Sequence, residues 1–147
     1  MVTDQRPLVE CKNASCHHTI WLPRSSQLDR FPGQIEFADN QYSEIYVCPS
    51  CAHVFDYRPL NVRWYPRQIA DRDHTGGWYA TLLEFDCATE NCGVRVVIRK
   101  PTDAPQTSDQ LVKESEGWVL AEVHCPAGHP ITTLPLHRWG GMFVRDL

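Results

Sequence analysis

The feature that most constrains this chain is the spacing of its cysteines. Cys11 and Cys16 enclose four residues, 31 residues separate Cys16 from Cys48, and Cys51 completes the string Cys48-Pro49-Ser50-Cys51-Ala52-His53. The arrangement then recurs: Cys87 and Cys92 enclose four residues, 32 follow, and Cys125 opens Cys125-Pro126-Ala127-Gly128-His129. The first pair returns at an offset of 76 (Cys11 to Cys87) and the Cys-Pro step at 77 (Cys48 to Cys125). Self-similarity at a fixed period points to a repeated structural unit. Two short cysteine pairs, each at a turn, let two hairpins face one another and present four soft donors to one tetrahedral ion.

The flanks repeat with the cysteines. Apolar runs precede each first pair, at Leu8 and Val9 and at residues 78–85, and strand-like runs ending in proline follow, at residues 18–23 and 94–101. Long polar turns come next, residues 25–40 and 102–117, with a helix signal only at 109–116. Strand-like runs lead into each Cys-Pro (45–47 and 118–123), and short extended runs leave it (54–57 and 131–134). Residues 61–77, rich in Arg, Pro and Asp and closed by Gly76-Gly77, read as a linker with a boundary near residue 75. Arg63-Trp64 and Arg138-Trp139 fall at comparable places after each second knuckle, and the tryptophans read first as packing groups. The expected fold is a small, mainly β, metal-stabilised protein with two tandem lobes, residues 1–75 and 76–147, related by internal duplication. Lobes of ~70 residues bury little surface, and a metal is one way to staple them.

Cys48-Pro49-Ser50-Cys51 resembles the second knuckle of the zinc-ribbon and rubredoxin-like families. The resemblance implies zinc-ribbon-like lobes in which proline sets the turn and backbone N–H groups point at the thiolate sulfurs. It departs from the family in having Ala52 where a glycine usually follows the second cysteine, and in enclosing four residues rather than two in each first pair.

Site one is expected to use Cys11, Cys16, Cys48 and Cys51, with His17, His18 and His53 beside it rather than in it, because four thiolates already fill the coordination sphere. Site two has three cysteines, Cys87, Cys92 and Cys125, because Gly128 takes the place matched to Cys51. His129 is the expected fourth ligand. The alternatives are His124, disfavoured because neighbours in an extended strand point to opposite sides, and a three-cysteine site with an open position. His74 and His137 lack partner spacing and read as ordinary histidines. Four thiolates accept zinc or iron, and three thiolates with an imidazole favour zinc, so two Zn2+ per chain are expected.

An odd total of seven cysteines, grouped in short pairs, reads as metal ligation in a reducing compartment rather than as a disulfide framework. The opening residues lack an apolar signal run and no stretch approaches the ~20 apolar residues of a membrane span, so a soluble cytoplasmic protein without a membrane partner is expected. No phosphate-binding glycine loop, His-Glu-x-x-His or Gly-x-Ser-x-Gly string occurs, and a metal-bound thiolate is committed, so no catalytic residues are assigned. The leading functional expectation is a non-catalytic module for a protein partner, using its loops or the groove between lobes. The second is nucleic-acid binding through Arg58, Arg63, Trp64, Tyr65, Arg67 and Arg72, where aromatics interleave with cations. Asp56, Asp71 and Asp73 in the same stretch, and a net charge of −4, weigh against it. A rubredoxin-like redox or metal-handling role is the third.

Overall fold

The computed structural model describes residues 5–22, 44–74, 79–102, 104, 106–134 and 141–146. Strand β1 (Gln5–Glu10) lies between β2 (Thr19–Trp21) and β5 (Arg63–Pro66) in a three-stranded antiparallel sheet. The second sheet has six strands in the order β8 (Val119–Glu122), β4 (His53–Tyr57), β3 (Glu44–Val47), β7 (Arg95–Thr102), β6 (Tyr79–Asp86) and β9 (Gly141–Asp146). Helices are short: α1 (Arg67–Asp73) and α2 (Ser108–Ser115). No helix among the described residues is long and apolar enough to cross a membrane.

The mainly β character agrees with the sequence reading, and each strand-like run before a cysteine is a strand. What periodicity could not show is how the halves meet. Strands β3 and β7 pair in parallel, Ile45 opposite Ile98, and β4 and β8 also pair in parallel, so strands from both sides of residue 75 share one sheet. The β3–β4 hairpin has a different core on each face, because successive side chains of a strand alternate. Ile45, Val47 and Val54 pack with Leu83, Phe85, Val96, Ile98 and Leu111. Tyr46, Phe55 and Tyr57 join Val9, Ile20, Leu22 and Val62 on the opposite face.

Two polar links tie the same strands together. Buried Glu44 accepts from Tyr46 Oη at 2.5 Å and pairs with Arg99 Nη2 at 3.4 Å, joining β3 to β7. Asp56 on β4 accepts from the backbone N–H of His124 at 3.2 Å and meets its ring Nδ1 at 2.7 Å.

Helix α2 falls where the sequence predicts one, and a capping box fixes its start: Gln110 N–H donates to Thr107 Oγ1 while Thr107 N–H donates to Gln110 Oε1. Residues 61–77 are not simply a linker. Their first part forms β5, held against β1, and then α1, with an Arg67–Asp71 ion pair one turn apart. The run at 131–134 is not a strand: an isolated bridge, His124 with Pro130, lies just before it, Ile131 N–H donates to Val123 C=O, and Ile131 and Leu134 pack on the core of Leu83 and Phe85. The turn expected at 25–40, the boundary at 75, Arg138-Trp139 and His137 lie outside the described residues.

Candidate metal centres

Each cluster is built from two knuckles that close the ends of strands. In the first, Cys11 N–H donates to His18 C=O (2.7 Å) and Cys16 N–H to Asn13 C=O (3.0 Å). Its counterpart repeats both bonds, Cys87 to Val94 (2.8 Å) and Cys92 to Thr89 (3.0 Å). The residue after the second cysteine leaves the turn in a left-handed conformation, His17 at φ +57° and Gly93 at φ +63°. The four enclosed residues therefore form similar turns in the two centres, which differ at Asn91, left-handed at φ +62° where Ser15 in the first is not.

The Cys-Pro knuckles agree in plan and differ in length. Cys48 N–H donates to His53 C=O (3.0 Å), with left-handed Ala52 (φ +62°) just before that histidine. Cys125 N–H donates to His129 C=O (2.9 Å), with left-handed Gly128 (φ +95°) just before it. Gly128 thus corresponds to Ala52, not to Cys51 as the sequence suggested, and the second knuckle is one residue shorter. Ala52 takes the backbone shape that glycine would supply.

The donor atoms converge. In Cys11, Cys16, Cys48 and Cys51, and again in Cys87, Cys92, Cys125 and His129, all four lie within 4.8 Å of one another. A tetrahedral ion with metal–sulfur bonds of ~2.3 Å separates its sulfurs by about 3.8 Å. Cys11 and Cys51 Sγ lie 3.6 Å apart, Cys16 and Cys48 3.8 Å, and Cys92 and Cys125 3.8 Å. Cys125 Sγ lies 3.4 Å from His129 Nδ1, close to the ~3.6 Å that a thiolate and an imidazole on one such ion require. None of the seven cysteines is in a disulfide. Both residue sets fit one metal ion each.

The surroundings favour a bound cation. Burial pushes the Cys11 and Cys48 thiols up, so as anions they call for a compensating positive charge. Burial opposes the Cys51 thiolate too, but Asn13, the His53 backbone and the neighbouring cysteines outweigh it and bring that thiol down to about 6. Thr89 is the main cause that lowers Cys87. Ser50 N–H points at Cys48 Sγ (3.4 Å), as the knuckle resemblance implied. Asn13 and Thr89, separated by the same offset as the cysteines, were missed in the sequence because neither is a ligand type.

Three of the other histidines have partners of their own. His53 Nδ1 meets Cys51 C=O (3.1 Å) and Asn13 (3.4 Å), His17 pairs with Glu10, and His124 is held by Asp56. His18 and His74 line a cavity of about 770 Å3 between the halves, walled by β2 and the end of β7. Of the residues considered for a partner, Arg58 and Arg63 are exposed, Arg67 pairs with Asp71, and half-buried Trp64 packs on the first-half core.

Fold and donors together define a mainly β protein with two four-donor clusters, each able to hold a metal ion. Comparison with protein-family models, with curated proteins and with solved structures gave no match.

Proposed function

We propose that this chain is a non-catalytic zinc-binding module that serves protein–protein interaction, an adaptor stabilised by two structural zinc ions. Cys11, Cys16, Cys48 and Cys51 would hold one ion; Cys87, Cys92, Cys125 and His129 would hold the other. The observation that carries the reading is the convergence of four donors at each centre, since a closed tetrahedral shell leaves no position for substrate. Zinc suits both sets, because four thiolates accept it and an imidazole among three thiolates disfavours an iron centre of the rubredoxin kind.

We also read the chain as two zinc-ribbon-like units, residues 1–75 and 76–147, related by internal duplication. The matched hydrogen bonds and left-handed residues of the paired knuckles support this. The shared sheet then joins the units, and the cavity between them offers a partner residues from both.

Native mass spectrometry with elemental analysis tests the reading. The expected result is colourless protein with two zinc ions per chain, and His129→Ala protein with one firmly held. Red protein containing iron, or zinc-replete protein with fewer than two ions, would overturn it.

A further inference from the structure

We propose that Asp56 is a positioning residue shared by the two metal centres, holding the Cys11–Cys16 turn through its backbone and the Cys125 knuckle through its side chain; this deepens the zinc-module reading and rests on it. On one side, Lys12 directly follows Cys11, and its Nζ donates to Asp56 C=O at 2.5 Å. On the other, His124 directly precedes Cys125. The Asp56 carboxylate accepts from its backbone N–H at 3.2 Å and meets its ring Nδ1 at 2.7 Å. Asp56 itself belongs to neither donor cluster, so whatever it does for the ions it does through these neighbours.

The second knuckle gains most from that hold, because it begins where the sheet stops. The β4–β8 ladder ends with Glu122 opposite Phe55. Beyond it, three backbone bonds close the knuckle on itself: Cys125 N–H to His129 C=O at 2.9 Å, Gly128 N–H to Cys125 C=O at 2.8 Å, and Ile131 N–H to Val123 C=O at 2.8 Å. Val123, Cys125 and Ile131 pack on the core of Leu83 and Phe85, but apolar contact is non-directional and does not by itself aim a sulfur. Hydrogen bonds to a carboxylate are directional and stronger than neutral ones. With its N–H and its ring on one carboxylate, His124 is fixed in orientation, and the Cα of Cys125 follows ~3.8 Å further along the chain. The Asp56 side chain is only 17% exposed, which limits the replacement of these bonds by water.

The first turn is held differently. Lys12 bonds a main-chain carbonyl, which every residue supplies, and its ammonium lies 5.1 Å from the centroid of the buried Tyr57 ring, a cation–π contact with the next residue of β4. Truncating the Asp56 side chain therefore removes the hold on the second centre and leaves the hold on the first. Removing the Lys12 charge does the opposite. One residue thus serves both centres through groups that substitution can separate.

The test uses the full chain with both zinc ions bound, mixed with excess chelator. Chains that have lost one ion are isolated at early times by native mass spectrometry and fragmented to locate the ion that remains. Asp56→Ala is expected to speed release from the second centre about tenfold or more and to leave the first within about twofold of the parent. Asp56→Asn, whose amide oxygen still accepts the His124 N–H and whose amide nitrogen still meets the ring, should stay within about threefold at both centres. Lys12→Met should show the reverse of Asp56→Ala, with release about fivefold faster from the first centre and the second unmoved. Parental release from the second centre of Asp56→Ala or from the first of Lys12→Met would overturn the proposal. So would equal acceleration at both centres, no recovery in Asp56→Asn, or loss of both ions together in every variant. If Asp56→Ala does not fold, His124→Ala takes its place: faster release confined to the second centre is expected, and unchanged release overturns the proposal. Absence of zinc from the parent chain would instead overturn the zinc-module reading.

Discussion

Replacing Cys48 and Cys51 by serine is expected to weaken metal binding at the second centre as well as the first, although that centre takes no donor from the β3–β4 hairpin. Without its ion the hairpin loses the anchor that ties it to the Cys11–Cys16 turn. Its other face supplies Ile45, Val47 and Val54, at 6, 1 and 0% exposure, to the core that contains Cys87, Cys125 and Ile131. Burying such a side chain contributes about 1.5–3 kcal/mol, so at the lower figure detachment of three removes about 4.5 kcal/mol. That corresponds to roughly three orders of magnitude in the affinity of the second centre. The assay is competition with a graded series of chelators, followed by native mass spectrometry of the Cys48→Ser/Cys51→Ser chain. Linkage makes the coupling reciprocal, so a zinc titration of the parent should show singly loaded chains depleted relative to independent sites. A variant whose second centre holds zinc with parental affinity would refute the reasoning.

Other substitutions probe the same construction. Ala52→Gly should raise the stability of the zinc-loaded protein by about 0.5–1 kcal/mol, read as a higher Tm, because Ala52 sits at φ +62° and a glycine relieves that strain. Gly93→Ala should lower it by about 1 kcal/mol although an added Cβ would meet nothing within 4 Å, since φ is +63° and the cost is conformational; an unchanged Tm would contradict this. Glu44→Gln should cost about 2 kcal/mol in denaturant unfolding, because the half-buried Arg99 partner and the Tyr46 bond lose a charged, buried acceptor. Asp56→Ala should loosen β8 from β4 without removing a metal ligand, seen as faster amide exchange at His124 with two zinc ions retained.

The two donor clusters were legible because cysteine spacing along a chain reports directly on turn geometry, and His129 could be grouped with the second because it alone follows Cys125 at a suitable distance. The left-handed residue before each knuckle histidine was not legible. Ala52 carries no signature of positive φ, so Gly128 was matched to Cys51 when a one-residue shortening had moved it. Helix α1 was hidden in a segment whose arginines, prolines and aspartates read as linker, because its order comes from β5 docking on β1, a contact between stretches more than 50 residues apart.

Local sequence, then, determined where the cysteine-bearing turns form and which stretches are extended, since both depend on residues near one another in the chain. Whether the two halves stand apart or share strands was decided only in three dimensions. Strand alternation gives the β3–β4 hairpin two apolar faces, and the second face finds its partner in β6 and β7, a pairing that no spacing within either half encodes.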